Sequence, residues 1–237
     1  MLQAMASIIG IVGGLGPEGT VHYYRKLAQH FAATLPEEER PGILIDHLWI
    51  DRFARLLRAE ADDEIRLLLS ASLLRLHNAG ADLALVASVT PHMFLAALRK
   101  ESPVEIVDLV EETQQEVIAA GHRTIGLLGT RLTLTRPFFR SGFERAGIRV
   151  VVPDEDGMKH LDGLIFGPLA SGTKTPQMRH ELAELIRGMT AGEKLEALVV
   201  ACTDLMDLID PKYLLVDPID CHIRLAARTL ARRQRRS

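Results

Sequence analysis

The chain is poor in cysteine, in aromatic residues and in long apolar runs. Its 237 residues include two cysteines, one tryptophan, three tyrosines and seven phenylalanines. Two cysteines exclude a disulfide-rich scaffold and predict a reducing, cytoplasmic compartment. No run approaches the roughly 20 apolar residues of a membrane-spanning helix, so we do not expect a membrane protein.

An excess of positive charge is also missing. The formal net charge is −3 at pH 7, with 25% of the residues charged and 47% hydrophobic. This charge provides no basic field for a nucleic acid, and the hydrophobic fraction is sufficient for the core of one or two domains. We therefore expect a soluble globular protein that does not bind nucleic acid.

Short apolar runs alternate along the chain with longer amphipathic stretches. The runs predicted as strands are Ser7–Val12, Ile43–Leu48, Leu83–Val86, Val104–Val107, Thr124–Leu128, Ile148–Val152, Gly163–Ile165, Ala197–Val200 and Leu214–Val216. The stretches predicted as helices are Glu18–Ala33, Asp62–Asn78, Pro91–Arg99, Asp108–Ala120, Phe138–Ala146, Thr175–Met189 and Ile219–Arg232. Such alternation favours an α/β fold with parallel sheets covered by helices.

The pattern restarts in the second half of the chain. Ile9–Gly14 resembles Ile125–Thr130, and Val86–Ser88 resembles Val200–Cys202 at nearly the same offset. Two matches at one offset predict two similar α/β lobes. We expect the carboxyl ends of their strands to face each other across a cleft that holds the active site.

Cys202 carries the most chemical information. It follows the apolar run 198–201 and precedes Thr203 and Asp204, which open a predicted helix. Backbone N–H groups at a helix start favour the thiolate, so we expect an activated thiol at this position. At the matching place in the first half of the chain, Ser88 offers only a hydroxyl.

Glycines follow the first predicted strand. The segment GGLGPEGT (Gly13–Thr20) contains the G-x-G-x-x-G pattern of dinucleotide-binding turns. However, Pro17 interrupts it, and Asp46, at the end of the second strand, follows by more than the usual spacing of about 20 residues. We therefore do not expect a nicotinamide or flavin cofactor. The glycines instead favour a tight turn, a close approach of backbone to a small ligand, or both.

Hydroxyl side chains recur where predicted strands lead into helices. Such positions combine backbone N–H groups with a hydroxyl donor and bind carboxylates, although any one hydroxyl is equally an ordinary helix cap. The repetition favours a small carboxylic acid as the ligand. The candidate binding residues are Gly14, Thr20, Thr90, Thr130 and Thr203.

Three motifs resemble those of the pyridoxal-phosphate-independent aspartate/glutamate racemases. They are GIVGGLGP (Gly10–Pro17), LGTRLT (Leu128–Thr133) and ACTDL (Ala201–Leu205), and Asp217 followed by His222 resembles the family's last motif. The resemblance implies two flavodoxin-like lobes related by a pseudo-twofold axis, formed by residues 1–108 with 217–237 and by residues 109–216. It further implies a homodimer, no cofactor, and a cysteine from each lobe flanking the α-carbon of an amino-acid substrate.

The first half-site departs from the pattern Cys-Asn-Thr-x-His that is usual in such racemases. Its sequence is SVTPH (Ser88–His92), so a hydroxyl replaces the first thiol and Val89 replaces the asparagine. A hydroxyl is a much weaker acid than a thiol, whose reference pKa is about 8.5; it can relay a proton but is a poor resting base. The resemblance therefore makes Cys202 the principal acid or base, with Ser88 opposite.

Further site residues come from the resemblance and from their charge. Arg52, after the second strand, resembles the arginine that holds a distal carboxylate, or is a surface arginine. His92 and His222 are supporting candidates, with a cap or core contact as the alternative. Asp204 either bonds near Cys202 or favours the helix start. A lysine that some aspartate racemases use falls near residues 170–171 and is missing there.

Together these features predict a cofactor-independent racemase of aspartate, glutamate or a close carboxylic acid. Two other classes of function stay open. A decarboxylase or related lyase would use Cys202 alone to protonate a carbanion formed from a malonate-like acid, in a pocket made more apolar by Val89. A non-catalytic binder of a small carboxylate would keep its affinity when Cys202 is replaced.

Overall fold

The protein folds into two compact units, as seen in a computed structural model that describes residues 7–192 and 194–235. One unit contains the chain up to Asp108 and again from His222, and the other spans Leu109–Cys221. The sequence placed the second division between residues 216 and 217. Residues 1–6, 193, 236 and 237 of the two predicted lobes lie outside the described part of the chain.

The first unit is built on a parallel sheet of four strands in the order β2-β1-β3-β4. These strands are β1 (Ile8–Gly13), β2 (Gly42–His47), β3 (Leu83–Val86) and β4 (Glu105–Ile106). β3 is buried along its whole length, whereas β2, at the edge, is largely half-buried or exposed. The unbroken apolar run of β3 is typical of a parallel strand with both faces covered.

Helices cover the first sheet and complete its core. They are α1 (Pro17–Thr34), α2 (Ile50–Arg58), α3 (Asp62–Asn78) and α4 (Leu95–Glu101), with 3-10 helices at Glu37–Glu39 and Thr90–Phe94. Val12, Phe53, Leu69, Leu73 and Leu98 belong to one buried apolar cluster that joins the sheet to α2, α3 and α4. The core thus fixes the helices that begin at the carboxyl ends of the strands.

The second unit repeats this plan, with a parallel sheet in the order β6-β5-β7-β8. Its strands are β5 (Thr124–Leu128), β6 (Arg149–Val151), β7 (Ala197–Val200) and β8 (Leu215–Val216). Its helices are α5 (Leu109–Ala119), α6 (Arg131–Thr135), α7 (Pro137–Arg145), α8 (Glu155–Ile165), α9 (Pro176–Thr190) and α10 (Thr203–Met206), with a 3-10 helix at Pro168–Ser171. The final helix, α11 (Pro218–Gln234), contains the division between the units.

The two sheets confirm the predicted α/β fold and its internal repeat. In each sheet the first strand in sequence lies between the second and the third, and every pairing is parallel. The predicted bounds of three strands and of one long helix agree with the structure: Leu83–Val86, Thr124–Leu128, Ala197–Val200 and Asp62–Asn78. No helix in the described parts of the chain is long and apolar enough to cross a membrane.

The strand predicted at Gly163–Ile165 is wrong, because these residues form the end of α8. Asp154 caps this helix, and its side chain accepts a hydrogen bond from the backbone of Gly157 at 2.8 Å. Met158, Leu161 and Ile165 recur at helical spacing and are buried. Three apolar residues in a row fit a strand and a helix end equally well, and only the residues before them distinguish the two.

The segment after β3 also differs from the prediction of one helix over Pro91–Arg99. It begins as the 3-10 helix Thr90–Phe94 and continues as α4 from Leu95. Pro91 occupies the first turn, where its missing N–H costs no intrahelical hydrogen bond. The backbone N–H of His92 bonds the carbonyl of Val89 at 3.0 Å. A tight turn therefore presents Ser88, Val89 and Thr90 at the end of β3.

Candidate active site

In each unit the predicted site residues lie at the carboxyl ends of the two central strands. In the first unit, Gly14 follows β1 and Ser88 follows β3, and these strands are neighbours. In the second unit, Thr130 follows β5 and Cys202 follows β7, again on neighbouring strands. Parallel open sheets bind ligands at this edge. The structure therefore gives two candidate half-sites, one in each unit.

The glycine turn after β1 is held by its own threonine. Gly14 has φ +80°, and a Cβ on it would lie 1.9 Å from the carbonyl oxygen of Leu48, so only glycine fits. The buried Thr20 hydroxyl accepts a hydrogen bond from the N–H of Gly14 at 2.8 Å and donates to the carbonyl of Gly16 at 3.1 Å. A carboxylate bound by Gly14 or Thr20 would have to exchange with these bonds.

Asp46, the acid weighed against a dinucleotide site, has a structural role. Its carboxylate accepts hydrogen bonds from Ser72 Oγ at 2.5 Å and from Nε and Nη2 of Arg75 at 2.7 Å each. Burial opposes ionisation, but the bonds from Arg75 and Ser72 outweigh it and hold the pKa of Asp46 below its usual value. The hydrogen bonds of this carboxylate thus connect β2 to α3.

Ser88 presents a hydroxyl with no hydrogen-bond partner among the residues that the structure describes. The residue is half-buried, as is Val89, whereas Thr90 and His92 are buried. The imidazole of His92 donates from Nδ1 to the carbonyl oxygen of Ser88 at 2.9 Å. Burial lowers the pKa of His92. Neutral His92 therefore stabilises the turn after β3 through the Ser88 carbonyl, while the Ser88 hydroxyl stays available to a ligand.

His222 lies in the core of the first unit and contacts a residue that the sequence did not single out. It is fully buried, its Nε2 donates to the carbonyl of Val107 at 3.1 Å, and its Nδ1 accepts a hydrogen bond from the hydroxyl of Tyr23. Burial, then the neighbouring His92, hold the pKa of His222 well below its usual value. Tyr23 has helical spacing from Thr20 and Leu27, which made it look like ordinary core.

Cys202 occupies the predicted junction, but its protonation state is not the predicted one. It is the residue that precedes α10, and solvent reaches part of its side chain. Removal of hydration by the surrounding protein, followed by the charge of Asp204, raises the pKa of Cys202 to about 12. The N–H groups of Asp204 and Leu205 act in the expected opposite direction and are outweighed. The resting group is a thiol, so the expectation of an activated thiolate is wrong.

Lys174 is a cation of the second half-site that sequence reasoning missed. Its charge lowers the pKa of Cys202, against the stronger effect of burial. Its ammonium lies 2.6 Å from the carboxylate of Asp207, whose backbone carbonyl accepts from Nη2 of Arg179, also at 2.6 Å. The sequence does contain a signal for Lys174. It is a lysine directly before Thr175, the residue that caps the start of α9.

The remaining candidates divide between helix caps and exposed groups. The Thr130 side chain is buried and caps α6, where it accepts from the N–H of Thr133. Arg52 is exposed in the first turn of α2, and among the described residues its guanidinium has no ion-pair partner. The hydroxyl of Thr203 is likewise without a hydrogen bond inside the described chain. Asp217 bonds the N–H of Ile219 at 2.9 Å and so caps the start of α11.

No group of three or more histidine, cysteine, aspartate or glutamate side chains within 7–192 and 194–235 is arranged to hold a metal ion. At or near the strand ends, the described residues offer a thiol, a hydroxyl, backbone N–H groups and the cations Lys174 and Arg52. Such groups can bind a carboxylate and move a proton at an adjacent carbon.

The sequence of the whole chain decides the family. A sequence model of the Asp/Glu/hydantoin racemases matches residues 12–226. The chain belongs to this family. This member of the Asp/Glu/hydantoin racemase family has the thiol of Cys202 after β7 and the hydroxyl of Ser88 at the equivalent place after β3.

Solved structures show the same two-lobed racemase fold. A proposed Asp/Glu racemase from Yersinia pestis has a TM-score of 0.82 and 24% identity, over 95% of this chain and 99% of that one. An aspartate racemase homologue from Pyrococcus horikoshii has a TM-score of 0.79 and 27% identity, also over 95% and 99%. The aspartate racemase of Picrophilus torridus has a TM-score of 0.78 and 19% identity, over 95% of each chain.

Proposed function

We propose that the protein is a cofactor-independent isomerase that exchanges the α-proton of aspartate, glutamate or a close carboxylic acid. The observation that carries the proposal is Cys202, a thiol between a buried central strand and a helix start in a chain of the Asp/Glu/hydantoin racemase family. Two of the solved relatives are described as an aspartate racemase and an aspartate racemase homologue, which supports an acidic amino acid as the substrate. We further propose that it works as a cytoplasmic homodimer.

In this proposal Cys202 and Ser88 serve the same α-carbon. When Cys202 donates, its S–H bond breaks and the proton forms the new C–H bond with the electron pair of the carbanion. In the reverse direction the C–H electron pair stays on the substrate carbon, and Cys202 must first lose its own proton. Because the pKa of Cys202 is about 12, donation is the easier of its two roles.

We propose that backbone and hydroxyl groups hold the α-carboxylate, where negative charge grows as the proton leaves. The residues are Gly14, Thr20, Thr90, Thr130 and Thr203. Thr203 supports this assignment most directly, since its hydroxyl is free of hydrogen bonds within the described chain. Fixed donors aimed at a developing negative charge are an effective way to stabilise a carbanion.

Arg52 and Lys174 are the cations that we propose for a distal group of the substrate. The exposed guanidinium of Arg52 has no ion pair among the described residues, and its planar shape suits a carboxylate. Lys174 is already paired with Asp207 at 2.6 Å, so a substrate carboxylate would compete with Asp207 for it. We therefore propose Arg52 as the principal contact.

A decarboxylase is the second candidate, and one observation favours it. A protonated thiol facing a carbanion is the arrangement that one-sided protonation needs, and burial keeps Cys202 in that form. Val89, in place of a polar asparagine, lies half-buried beside Ser88 and would suit a substrate with an apolar substituent. Loss of carbon dioxide from a malonate-like acid would then supply the carbanion that Cys202 protonates.

One set of incubations in D2O separates these functions. L- and D-aspartate, L- and D-glutamate and a 2-substituted malonic acid are each incubated with the enzyme and followed by proton NMR. Loss of the α-proton signal from an amino acid supports the isomerase, and formation of a deuterated monocarboxylic acid supports the lyase. Thermal stabilisation by these acids without turnover would leave a carboxylate-binding protein and contradict both enzyme functions.

A further inference from the structure

Three aromatic side chains with polar atoms meet in the core of the first unit, beneath the turn that presents Ser88. They are Tyr23 of α1, His92 of the 3-10 helix and His222 of α11, and they are only 1%, 5% and 0% exposed. The ring centroids of His222 lie 5.8 Å from those of both Tyr23 and His92, in edge-to-face orientation. Three distant segments of the chain thus converge on one point. We call them the histidine cluster.

Hydrogen bonds fix the proton on each ring of the histidine cluster. A carbonyl oxygen only accepts, so His222 carries its proton on Nε2, which bonds Val107, and its Nδ1 accepts from the hydroxyl of Tyr23. By the same argument His92 carries its proton on Nδ1, which bonds the carbonyl of Ser88 at 2.9 Å. The two adjacent histidines are therefore neutral and of opposite tautomers.

His92 holds the Ser88 turn through two donors. Its backbone N–H bonds the carbonyl of Val89 at 3.0 Å, and its ring bonds the carbonyl of Ser88. Pro91, just before it, has no N–H to offer. The orientation of the serine backbone therefore depends on the ring of His92, whose own position is limited by contact with His222.

A second proton on His92 would have no acceptor. Its Nε2 is buried and has no hydrogen-bond partner within the described chain. The charged groups that act on the ring are Asp108, which favours a proton, and Arg99 of α4, which disfavours it; Arg99 and Asp108 bond each other at 3.4 Å. Burial is the largest influence on both histidines and opposes protonation. A second proton on either ring would therefore create a buried charge, and on His222 it would occupy the nitrogen that accepts from Tyr23.

We propose that His92 is a positioning residue, which in its neutral form and braced by His222 and Tyr23 sets the orientation of Ser88 at the active site. Its effect on catalysis rests on the proposed isomerase function, whereas its effect on the Ser88 turn does not. The histidine cluster, rather than Cys202, then determines the pH below which activity is lost.

Nitrogen NMR of the uniformly labelled protein tests the proton positions without any substrate. We expect one neutral imidazole protonated on Nε2 (His222) and one on Nδ1 (His92), each assigned by its loss in His222→Gln and His92→Asn. Both signals should remain those of neutral rings at pH 6, below the ordinary pKa of about 6.5. The proposal would be overturned if the two rings had the same tautomer, or if either ring titrated with the ordinary histidine pKa.

Two variants of His92 separate positioning from bulk packing. Asparagine keeps a donor near the position of Nδ1, whereas leucine fills similar space without one. We expect His92→Leu to shift the backbone amide signals of Ser88 and Val89 and to lower α-proton exchange about tenfold in kcat, with KM little changed; His92→Asn should stay within about threefold of the wild type. Equal losses in both variants, or unmoved amide signals in a folded His92→Leu protein, would contradict a positioning role.

Tyr23→Phe provides a milder test that keeps the ring. The tyrosine hydroxyl donates to Nδ1 of His222 and so stabilises the neutral ring. Without this hydrogen bond, the pKa of His222 should rise. The acid limb of the activity profile should then move to higher pH, while the rate at pH 8 changes little. An unmoved acid limb would overturn the proposal. If the wild type exchanges no substrate, the proposed function fails, and the amide and imidazole signals still decide whether His92 orders the turn.

Discussion

The protonation state of one thiol decides which proton transfers the site can perform. Burial and the charge of Asp204 raise the pKa of Cys202 to about 12, although two backbone N–H groups and Lys174 favour the thiolate. At pH 7 the group is therefore an acid. Donation to a carbanion needs no prior change, whereas abstraction of a proton requires substrate binding or high pH to remove the proton from sulfur.

Alkylation by iodoacetamide measures this state directly. In Cys221→Ala, Cys202 is the single remaining thiol. Because its pKa is about 12, we expect the alkylation rate to rise about tenfold per pH unit from pH 7 to pH 10 without reaching a plateau. A plateau near pH 9 is typical of an ordinary thiol and would show that burial does not raise the pKa of Cys202.

Ser88→Cys tests whether the hydroxyl limits two-sided chemistry. A thiol ionises far more readily than a hydroxyl, so the variant should exchange the α-proton at least about tenfold faster and should racemise from either enantiomer. Ser141→Cys is the matched control, since Ser141 is also half-buried but lies on α7. Equal rates in wild type and Ser88→Cys would mean that Ser88 does not face the reacting carbon.

Residue types at strand ends were predictable, but their environments were not. Cys202, Thr130 and Ser88 all lie where the sequence placed them, because a buried strand followed by a helix start is visible in one segment. The pKa of Cys202 depends on residues that are distant in the sequence, including Lys174. The bond from Tyr23 to His222 joins α1 to α11 and has no local signature.

At the scale of elements, the tie between β2 and α3 depends on one carboxylate. Arg75 bonds Asp46 through two nitrogens, at 2.7 Å each, although the arginine side chain is 53% exposed. We expect Arg75→Met to lower the free energy of unfolding at pH 7 by about 1 kcal/mol, since solvent reduces the value of a half-exposed ion pair. Urea unfolding followed by circular dichroism measures this loss.

The same tie should weaken in acid. The pKa of Asp46 is lowered in the folded state, so its contribution is present above the ordinary value of about 3.9 and is lost as the pH falls through the folded pKa. The gap between wild type and Arg75→Met should therefore shrink on acidification. Arg66→Met, on the same helix, removes an exposed pair with Asp63 and should change little at any pH. A gap that is constant with pH would contradict the assignment.

The long helix α3 and the buried strands β3, β5 and β7 were predicted well, whereas several shorter helical segments were not. The seventeen residues of α3 repeat apolar side chains at helical spacing, and its bounds agree with the prediction. Gly163–Ile165 carries three residues of pattern, too few to distinguish a strand from the end of α8. The nine-residue helix α2 was not predicted, although Ile50, Phe53 and Leu57 recur at helical spacing.

At the scale of the whole molecule, the internal repeat explains why the two half-sites can be compared. Each sheet places its first strand between its second and third, so the residues after β3 and after β7 have equivalent positions in their own units. One position has a thiol, that of Cys202, and the other has a hydroxyl, that of Ser88. A chain of the Asp/Glu/hydantoin racemase family can thus keep its fold while its two halves differ in acidity.

The most direct test of the central claim, that Cys202 moves the α-proton, is deuterium exchange into L-aspartate and L-glutamate by wild type, Cys202→Ala and Cys221→Ala. Cys221 is a matched control, because it is a buried cysteine of the second unit whose thiol bonds the carbonyl of Asp217. We expect exchange in wild type and Cys221→Ala, and a loss of at least about 100-fold in Cys202→Ala. Undiminished exchange in Cys202→Ala, or none in the wild type, would contradict the account.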